Sequence, residues 1–531
     1  MHRRTLLTAA AAAAAPTALT AAACTTGTGP GTGAGTATGP GKQQPTPPST
    51  PPTSPSKAAP ADWPALAHSL QGKLVRPDDA DYATARQLYN TRYDNQKPDA
   101  VAYVAHEADV QECLAYARAH RTPISVRSGG HSYAGWSSGT GRLVIDVSRL
   151  NGVAADGTIG AGARLIDVYT GLAKSGRTIP GGSCPTVGVS GLTLGGGHGV
   201  TARAYGLTCD NLTSASLVTA DGRKLTVSEK QNPDLFWALR GAGNGNFGVV
   251  TGFTFRTHEA PQGVTAYLTW PWRQARGVIE AWQEWGPDQA DEIWSAVHVA
   301  GAAGGGDPTV NVAAFSIGSY GDLQNALARL ADRAGAPAAT VSLHRTGFQD
   351  AMLLYAGCST FSQAQCRMPG KTPGRSPQGV LQRETYAAKS DFYTKALPAA
   401  GIRQLLTGTE EFTRIATADN GGGGTIVLTA LGGAVNRVAP DATAFVHRTS
   451  RVLAQYIASW RPGTSGASQQ SWLTRTHDAM RPYASGAAYQ NYPDPSLTDW
   501  RSAYYGSAAP RLAQLKKQYD PTRLFDFPQA L

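Results

Sequence analysis

His131 and Cys184 are nucleophiles set in two glycine-rich turns, Arg127-Ser128-Gly129-Gly130-His131-Ser132-Tyr133 and Gly181-Gly182-Ser183-Cys184-Pro185-Thr186-Val187-Gly188. A neutral imidazole or a thiolate can bond an electrophilic carbon, and neighbours with little side chain leave room for a flat electrophile. Glycine turns also let backbone N–H groups approach an anion closely. Taken singly, a histidine after two glycines is an ordinary loop hydrogen-bonder and a cysteine before proline an ordinary apolar filler. Occurring together in this context, they favour shared chemistry. The second turn runs into Gly188-Val189-Ser190-Gly191-Leu192-Thr193-Leu194-Gly195-Gly196-Gly197-His198-Gly199. So many glycines cost chain entropy unless something large lies against the backbone, and a flat cofactor bearing a pyrophosphate meets that description.

The elements around these turns read as strands and short helices. Pro123 to Val126 and Arg142 to Val147 are strand-like, which puts His131 on a loop between strands. Upstream, helical periodicity covers Asp81 to Asn90 and Asp109 to His120, with a strand at Ala100 to Ala105 between them. Cys113 falls on one helical face with Val110, Leu114 and Ala117 and is expected in the core. Downstream, two strands flank the Asp221-Gly222 turn, and a short helix carries Phe236, Trp237 and Leu239. Gly243-Asn244-Gly245-Asn246-Phe247-Gly248 matches the dinucleotide glycine pattern, but the strand-like Val249 to Phe255 follows where that fingerprint needs a helix, so a Rossmann reading is rejected.

Arg127-Ser128-Gly129-Gly130-His131 together with Gly182-Ser183-Cys184-Pro185-Thr186-Val187-Gly188 resembles the berberine bridge enzyme-like branch of the vanillyl-alcohol oxidase flavoproteins. Ala488-Tyr489-Gln490-Asn491-Tyr492-Pro493-Asp494, Trp500, Tyr504-Tyr505-Gly506 and Tyr519-Asp520-Pro521 are similar to that family's C-terminal signature, with Ala508 where the family usually has asparagine. The likeness runs from about Trp63 to Leu531. It implies a PCMH-type domain holding FAD twice, His131 on the flavin 8α-methyl carbon and Cys184 on C6. It further implies that Arg127, Ser128, Gly129, Gly130, Ser132, Tyr133, Val187, Gly188, Gly191, Gly195, Gly196, Gly248, Val250 and Asn491 line the cofactor. Tyr492, with Tyr489 beside it, would be the catalytic base. Val187 stands where the family's oxidases carry a small residue and its dehydrogenases tend to carry leucine. The strand Thr425 to Leu431 would lie over the flavin face and touch substrate.

The whole chain accommodates this. At 531 residues, with 61 glycines and mixed strand and helix patterns, it is expected to be α+β in more than one domain. The expected boundaries are an export signal at 1–24, a Gly/Thr/Pro/Ser tether at 25–62 and an FAD-binding domain at 63–264. A substrate domain at 265–487, an antiparallel sheet flanked by helices, follows, and 488–531 returns to the FAD domain. The net charge of +10 is spread among acids and does not form a nucleic-acid stripe. Arg3-Arg4 before an alanine-rich run favours twin-arginine export, and Cys24 resembles a lipid-anchor site. Cys358 and Cys366 are close enough in sequence for a local disulfide. Trp270, Trp272, Trp282, Trp285 and Trp294 could stack on substrate rings, though core packing is the commoner use of tryptophan. The function expected is oxidation of an alcohol on a sugar, oligosaccharide or bulky natural product, with O2 as electron acceptor. Oxidative cyclisation, or non-catalytic binding on the same scaffold, are the alternatives.

Overall fold

A computed structural model describes residues 61–415 and 421–531. The expected signal, Cys24 and nearly all of the tether lie outside the described residues.

The architecture of the described residues is α+β, built on three larger sheets and one two-stranded ribbon. Strands β1 (Lys73–Val75), β2 (Ala100–Tyr103), β3 (Ile124–Arg127) and β4 (Leu143–Asp146) form a mixed sheet in the order β1-β2-β4-β3. All four residues of β2 and of β4 are buried, as strands covered on both faces should be. The chain continues through β5 (Thr158–Gly160), β6 (Arg177–Thr178), β7 (Leu212–Val218), β8 (Lys224–Ser228), β9 (Val249–Phe255) and β10 (His258–Glu259). Of these, β5-β9-β7-β8 make an antiparallel sheet and β6 pairs with β10. Helix Glu107–His120 packs between the first two sheets, with Cys113 fully buried. Asp81 to Asn90 holds only one helical turn, Tyr82–Ala85. Its following residues pair instead with a distant strand edge: Asn90 bridges Glu384, and its amide reaches the Tyr386 carbonyl at 2.8 Å.

Strands β11 (Gln262–Trp270), β12 (Ile293–Ala302), β13 (Thr309–Ser316), β14 (Thr340–Gly347), β15 (Tyr386–Tyr393), β16 (Gly423–Ala430) and β17 (Val452–Ser459) form a seven-stranded antiparallel sheet, in the order β14-β11-β13-β12-β16-β17-β15. One face packs under helices Ala275–Trp285, Tyr320–Arg333, Ala399–Thr413 and Ala467–Met480 through Val297, Val299, Val312, Ile426, Leu428 and their neighbours. The tryptophans divide accordingly. Trp270, Trp282 and Trp285 are buried in this core and Trp272 packs at its edge, while Trp294 alternates to the opposite face.

After the big sheet the chain rejoins the first core, to which Ala488, Trp500, Tyr504, Leu512, Phe525 and Leu531 contribute. Buried Lys516 locks this return, donating to the Asn246 carbonyl, the Phe525 carbonyl and Asp520 at 2.7–2.8 Å. The segment Gly243–Gly248 is thereby tied to the C-terminus; it leads into a strand, with no helix for a phosphate to cap.

Candidate active site

The two glycine turns emerge from different elements and meet. The first leaves β3, whose last residue Arg127 is buried, ion-paired with Asp146 and bonded to the Ala85 carbonyl at 2.7 Å. The second precedes helix Val189–Leu194. A side chain on Gly129 would strike the Gly188 nitrogen, and one on Gly188 would strike the Gly129 nitrogen and Ser128 Oγ. Only glycine permits this contact.

That contact brings the nucleophiles together. His131 Nε2 shares a 2.9 Å hydrogen bond with Thr186 Oγ1, and Cys184 Sγ lies 3.9 Å from the same oxygen. Tyr89 stacks on the imidazole at 4.1 Å. Burial, with the Arg164 guanidinium adding to it, holds the His131 pKa at about 3, so the ring is neutral and keeps a free lone pair. Burial pushes the Cys184 thiol up, opposed by hydrogen bonding to Thr186. The thiol therefore stays protonated until a base removes its proton.

Tyr492, 5.0 Å from the Tyr133 ring and 4.9 Å from the Tyr489 ring, shares a 2.8 Å hydrogen bond with His198 Nε2. The resemblance leaves open which neighbour tunes this phenol, Tyr489, Asn491 and the strand 425–431 being the ones near it in the family pattern; the hydrogen-bond partner is His198. Burial, then the Tyr133 and Tyr489 hydroxyls, push the Tyr492 phenol well above its usual value. Tyr489 is buried, and its oxygen accepts from the Gly197 amide (2.8 Å) and the Asn491 side chain (2.9 Å). Asn491 also donates to the Leu192 carbonyl and accepts from Asn244. Gln455, on β17, donates to Tyr133 Oη at 2.8 Å.

Several glycines of the 188–199 run answer to the protein's own packing. A Cβ on Gly195 would strike Asn491, on Gly196 would meet Phe445, on Gly197 Thr208 and on Gly199 the Gly181 carbonyl. Gly248 meets the Val218 carbonyl, and Val250 is buried opposite Leu217. The hydroxyls of Ser128 and Ser132 are bonded to the Ala161 carbonyl and the Trp136 amide, and Gly130 needs its positive φ of 71°. Gly191, by contrast, has nothing within 4 Å of the side chain it lacks. Buried polar atoms without a partner lie on the same elements: Arg127 Nη1, Ser137 Oγ, Ser138 Oγ, Thr193 Oγ1, Asn244 Oδ1 and His198 Nδ1. Unsatisfied donors and acceptors, an open approach at Gly191 and two nucleophiles on one hydroxyl together fit a large, polar, ring-bearing group such as FAD.

Sequence reasoning missed His198, Thr186, Tyr89 and Gln455. A histidine embedded in Gly195-Gly196-Gly197-His198-Gly199 was the available signal for the first. Thr186 stands two residues after Cys184 in its turn, while Tyr89 and Gln455 carry no local signal.

Sheet and site define a flavin-dependent oxidoreductase whose cofactor-binding half is rejoined by the chain's C-terminus. A family model described as an FAD binding domain matches residues 98–228, and one described as berberine and berberine like matches residues 488–531. An FAD-linked oxidoreductase of Bacillus subtilis, YgaK, is 31% identical over 471 residues, spanning 87% of this chain and 97% of that protein. A xylooligosaccharide oxidase of Thermothelomyces thermophilus is 33% identical over 458 residues, spanning 82% and 87%. The solved structure of Physcomitrella patens BBE-like 1 superposes with a TM-score of 0.78 at 31% identity, covering 88% of this chain and 98% of that one. The chain belongs to the berberine bridge enzyme-like FAD-linked oxidoreductases, with the PCMH-type FAD-binding fold.

Proposed function

We propose that this enzyme is an exported oxidase of alcohol groups on oligosaccharides or comparably bulky molecules, with FAD bonded through both His131 and Cys184. The observation that carries the reading is the convergence of those two side chains on the Thr186 hydroxyl. The 8α-methyl carbon and C6 belong to one ring of the flavin, so a pair of attachment residues must be close neighbours. FAD, when bound, supplies the hydride acceptor and passes its electrons to O2, giving hydrogen peroxide. Tyr492 takes the substrate hydroxyl proton, while Tyr489 holds the backbone at Gly197 and the Asn491 amide in place.

The substrate wall is part of the seven-stranded sheet's face opposite the four long helices, beside the area that the short helix Phe348–Tyr355 covers through Phe315, Tyr267 and Trp294. Across it run Asn311, His298, Val427 and Gln455, neighbours by strand register and all partly exposed. Thr425, Val427 and Thr429 face this side and Ile426 and Leu428 the opposite core. A broad wall with amide, imidazole and hydroxyl groups, rimmed by Trp294 and Tyr267, suits a sugar's alternating polar and apolar surface. The likeness to a xylooligosaccharide oxidase supports the same class.

Twin-arginine export belongs to this reading, because that route carries folded protein and accommodates a flavin acquired beforehand; Cys24 would then be a lipid anchor. Purified enzyme should release peroxide with xylo-, cello- or chito-oligosaccharides. No release with any of these, alongside turnover of a bulky non-sugar alcohol, would move the substrate class away from carbohydrate.

A further inference from the structure

We propose that His198 is the proton acceptor behind Tyr492, so that the base of this enzyme is a tyrosine–histidine pair in which the phenol faces substrate and the imidazole receives the proton. The inference rests on Tyr492 being the base, and deepens that reading.

A phenol can act as base near neutral pH in two ways: a cation or strong donor stabilises its anion, or its own proton has somewhere to go. Among the described residues no cation supplies the first. The titratable groups that act on Tyr492 are Tyr133 and Tyr489, both neutral and both disfavouring phenolate. Lys389, on the neighbouring β15, is bound to Asp494 and to Ser496 Oγ at 2.7 Å, and its charge is spent there. The second way is built. His198 Nε2 lies 2.8 Å from Tyr492 Oη, the two rings standing edge to face.

The imidazole is held for this contact. Gly197 is pressed against Thr208 and its amide bonds Tyr489 Oη; Gly199 is pressed against the Gly181 carbonyl. The ring is therefore clamped from both sides by glycines that could not be larger. Burial holds its pKa at about 4, so the ring begins neutral with one nitrogen unprotonated; the same burial disfavours the imidazolium, so the ring takes the proton only as hydride leaves the substrate. With Nε2 accepting from Tyr492, the ring's hydrogen sits on Nδ1, which is buried and has no partner among the described residues.

In the reaction the substrate O–H bond breaks as a new O–H bond forms on Tyr492. The original Tyr492 O–H bond breaks as an N–H bond forms on His198 Nε2. FAD, when bound, would accept the hydride from the adjacent C–H bond, and the carbon would become a carbonyl. One proton and one hydride are removed, as two-electron oxidation of an alcohol requires. His198 acts through Tyr492 and does not touch substrate.

Flavin bleaching by an oxidisable oligosaccharide, followed without oxygen, tests the pair. His198→Gln keeps a hydrogen-bonding group at the site but cannot accept a proton. It should retain covalent flavin, bleach about 100-fold or more slowly at pH 7, and recover about tenfold per pH unit as hydroxide takes over the proton. Adding Tyr492→Phe to it should cost little more. Wild-type rate and pH profile in His198→Gln, with a large loss in Tyr492→Phe, would overturn the pair and leave Tyr492 as base. Near-normal bleaching in Tyr492→Phe would overturn the base itself. Independently of turnover, 15N NMR of labelled histidine should find His198 neutral at pH 7 with its hydrogen on Nδ1, and the Nε2 resonance should shift in Tyr492→Phe. A hydrogen on Nε2 in the wild type contradicts the proposal, including in the case that His198→Gln fails to fold.

Discussion

Gly129 and Gly188 meet backbone to backbone, each occupying the space in which the other's side chain would stand. Around them Leu165 donates to the Val187 carbonyl at 3.0 Å and Val189 to the Ala163 carbonyl at 2.9 Å, so the contact is fastened on both flanks. The position of His131 relative to Cys184 is consequently set by main chain, the stiffest part of the protein.

Replacing Gly129 with alanine should force these turns apart. Overpacking of this kind costs about 1–3 kcal/mol, which thermal or urea unfolding would register. Covalent flavin per protein, read from absorbance after acid precipitation, should fall with it. Gly152→Ala, where the added methyl meets nothing and which lies outside the two turns, is the control and should change both stability and flavin content little.

Val187 follows Cys184 by three residues and is partly buried among Leu165, Tyr169 and Leu192. With valine in place, reduced enzyme mixed with aerated buffer should reoxidise rapidly. Val187→Leu should slow this by at least about tenfold, roughly 1.4 kcal/mol in barrier, with little change in substrate-driven bleaching. Equal reoxidation rates would remove Val187 as the oxygen gate.

Histidine burial makes stability depend on pH. His447 is buried, stacks on Phe392 at 4.3 Å and donates from Nε2 to the Tyr504 carbonyl at 3.0 Å; burial holds its pKa at about 4. An unfolded histidine titrates near 6.5, so between about pH 4 and 6.5 the unfolded chain binds a proton that the native chain does not. The stabilisation is complete above 6.5 and is lost as pH falls, by up to about 1.4 kcal/mol per pH unit for this group. Denaturant midpoints should therefore drop between pH 7 and pH 5. In His447→Gln, which keeps a donor for Tyr504 and does not titrate, the drop should be smaller.

Legibility in the sequence followed the range of the interactions. The His131 and Cys184 turns were readable because each carries its own glycines, and the Cys358–Cys366 disulfide because its partners are eight residues apart with Cα atoms at 5.8 Å. The helix expected over Asp81 to Asn90 failed because Asn90 satisfies a strand edge 296 residues away, a tertiary demand that no local periodicity contains. The partner of Tyr492 was hidden for the same reason: His198 is 294 residues distant. Glycines 195, 196, 197 and 199 marked close approach correctly, yet what approaches them is largely the protein itself. The tryptophan cluster split between two faces because strand alternation, visible in β12, sends Trp294 one way and Ile293 and Ser295 the other.

Double attachment of FAD is the central claim, and peptide mapping of acid-denatured holoenzyme tests it most directly. The precipitate should stay yellow, and proteolysis should yield flavin bonded to a peptide containing His131 and to one containing Cys184. Single replacements, His131→Ala or Cys184→Ala, should each leave one bond. Free FAD in the supernatant, with neither peptide carrying flavin, would contradict the account.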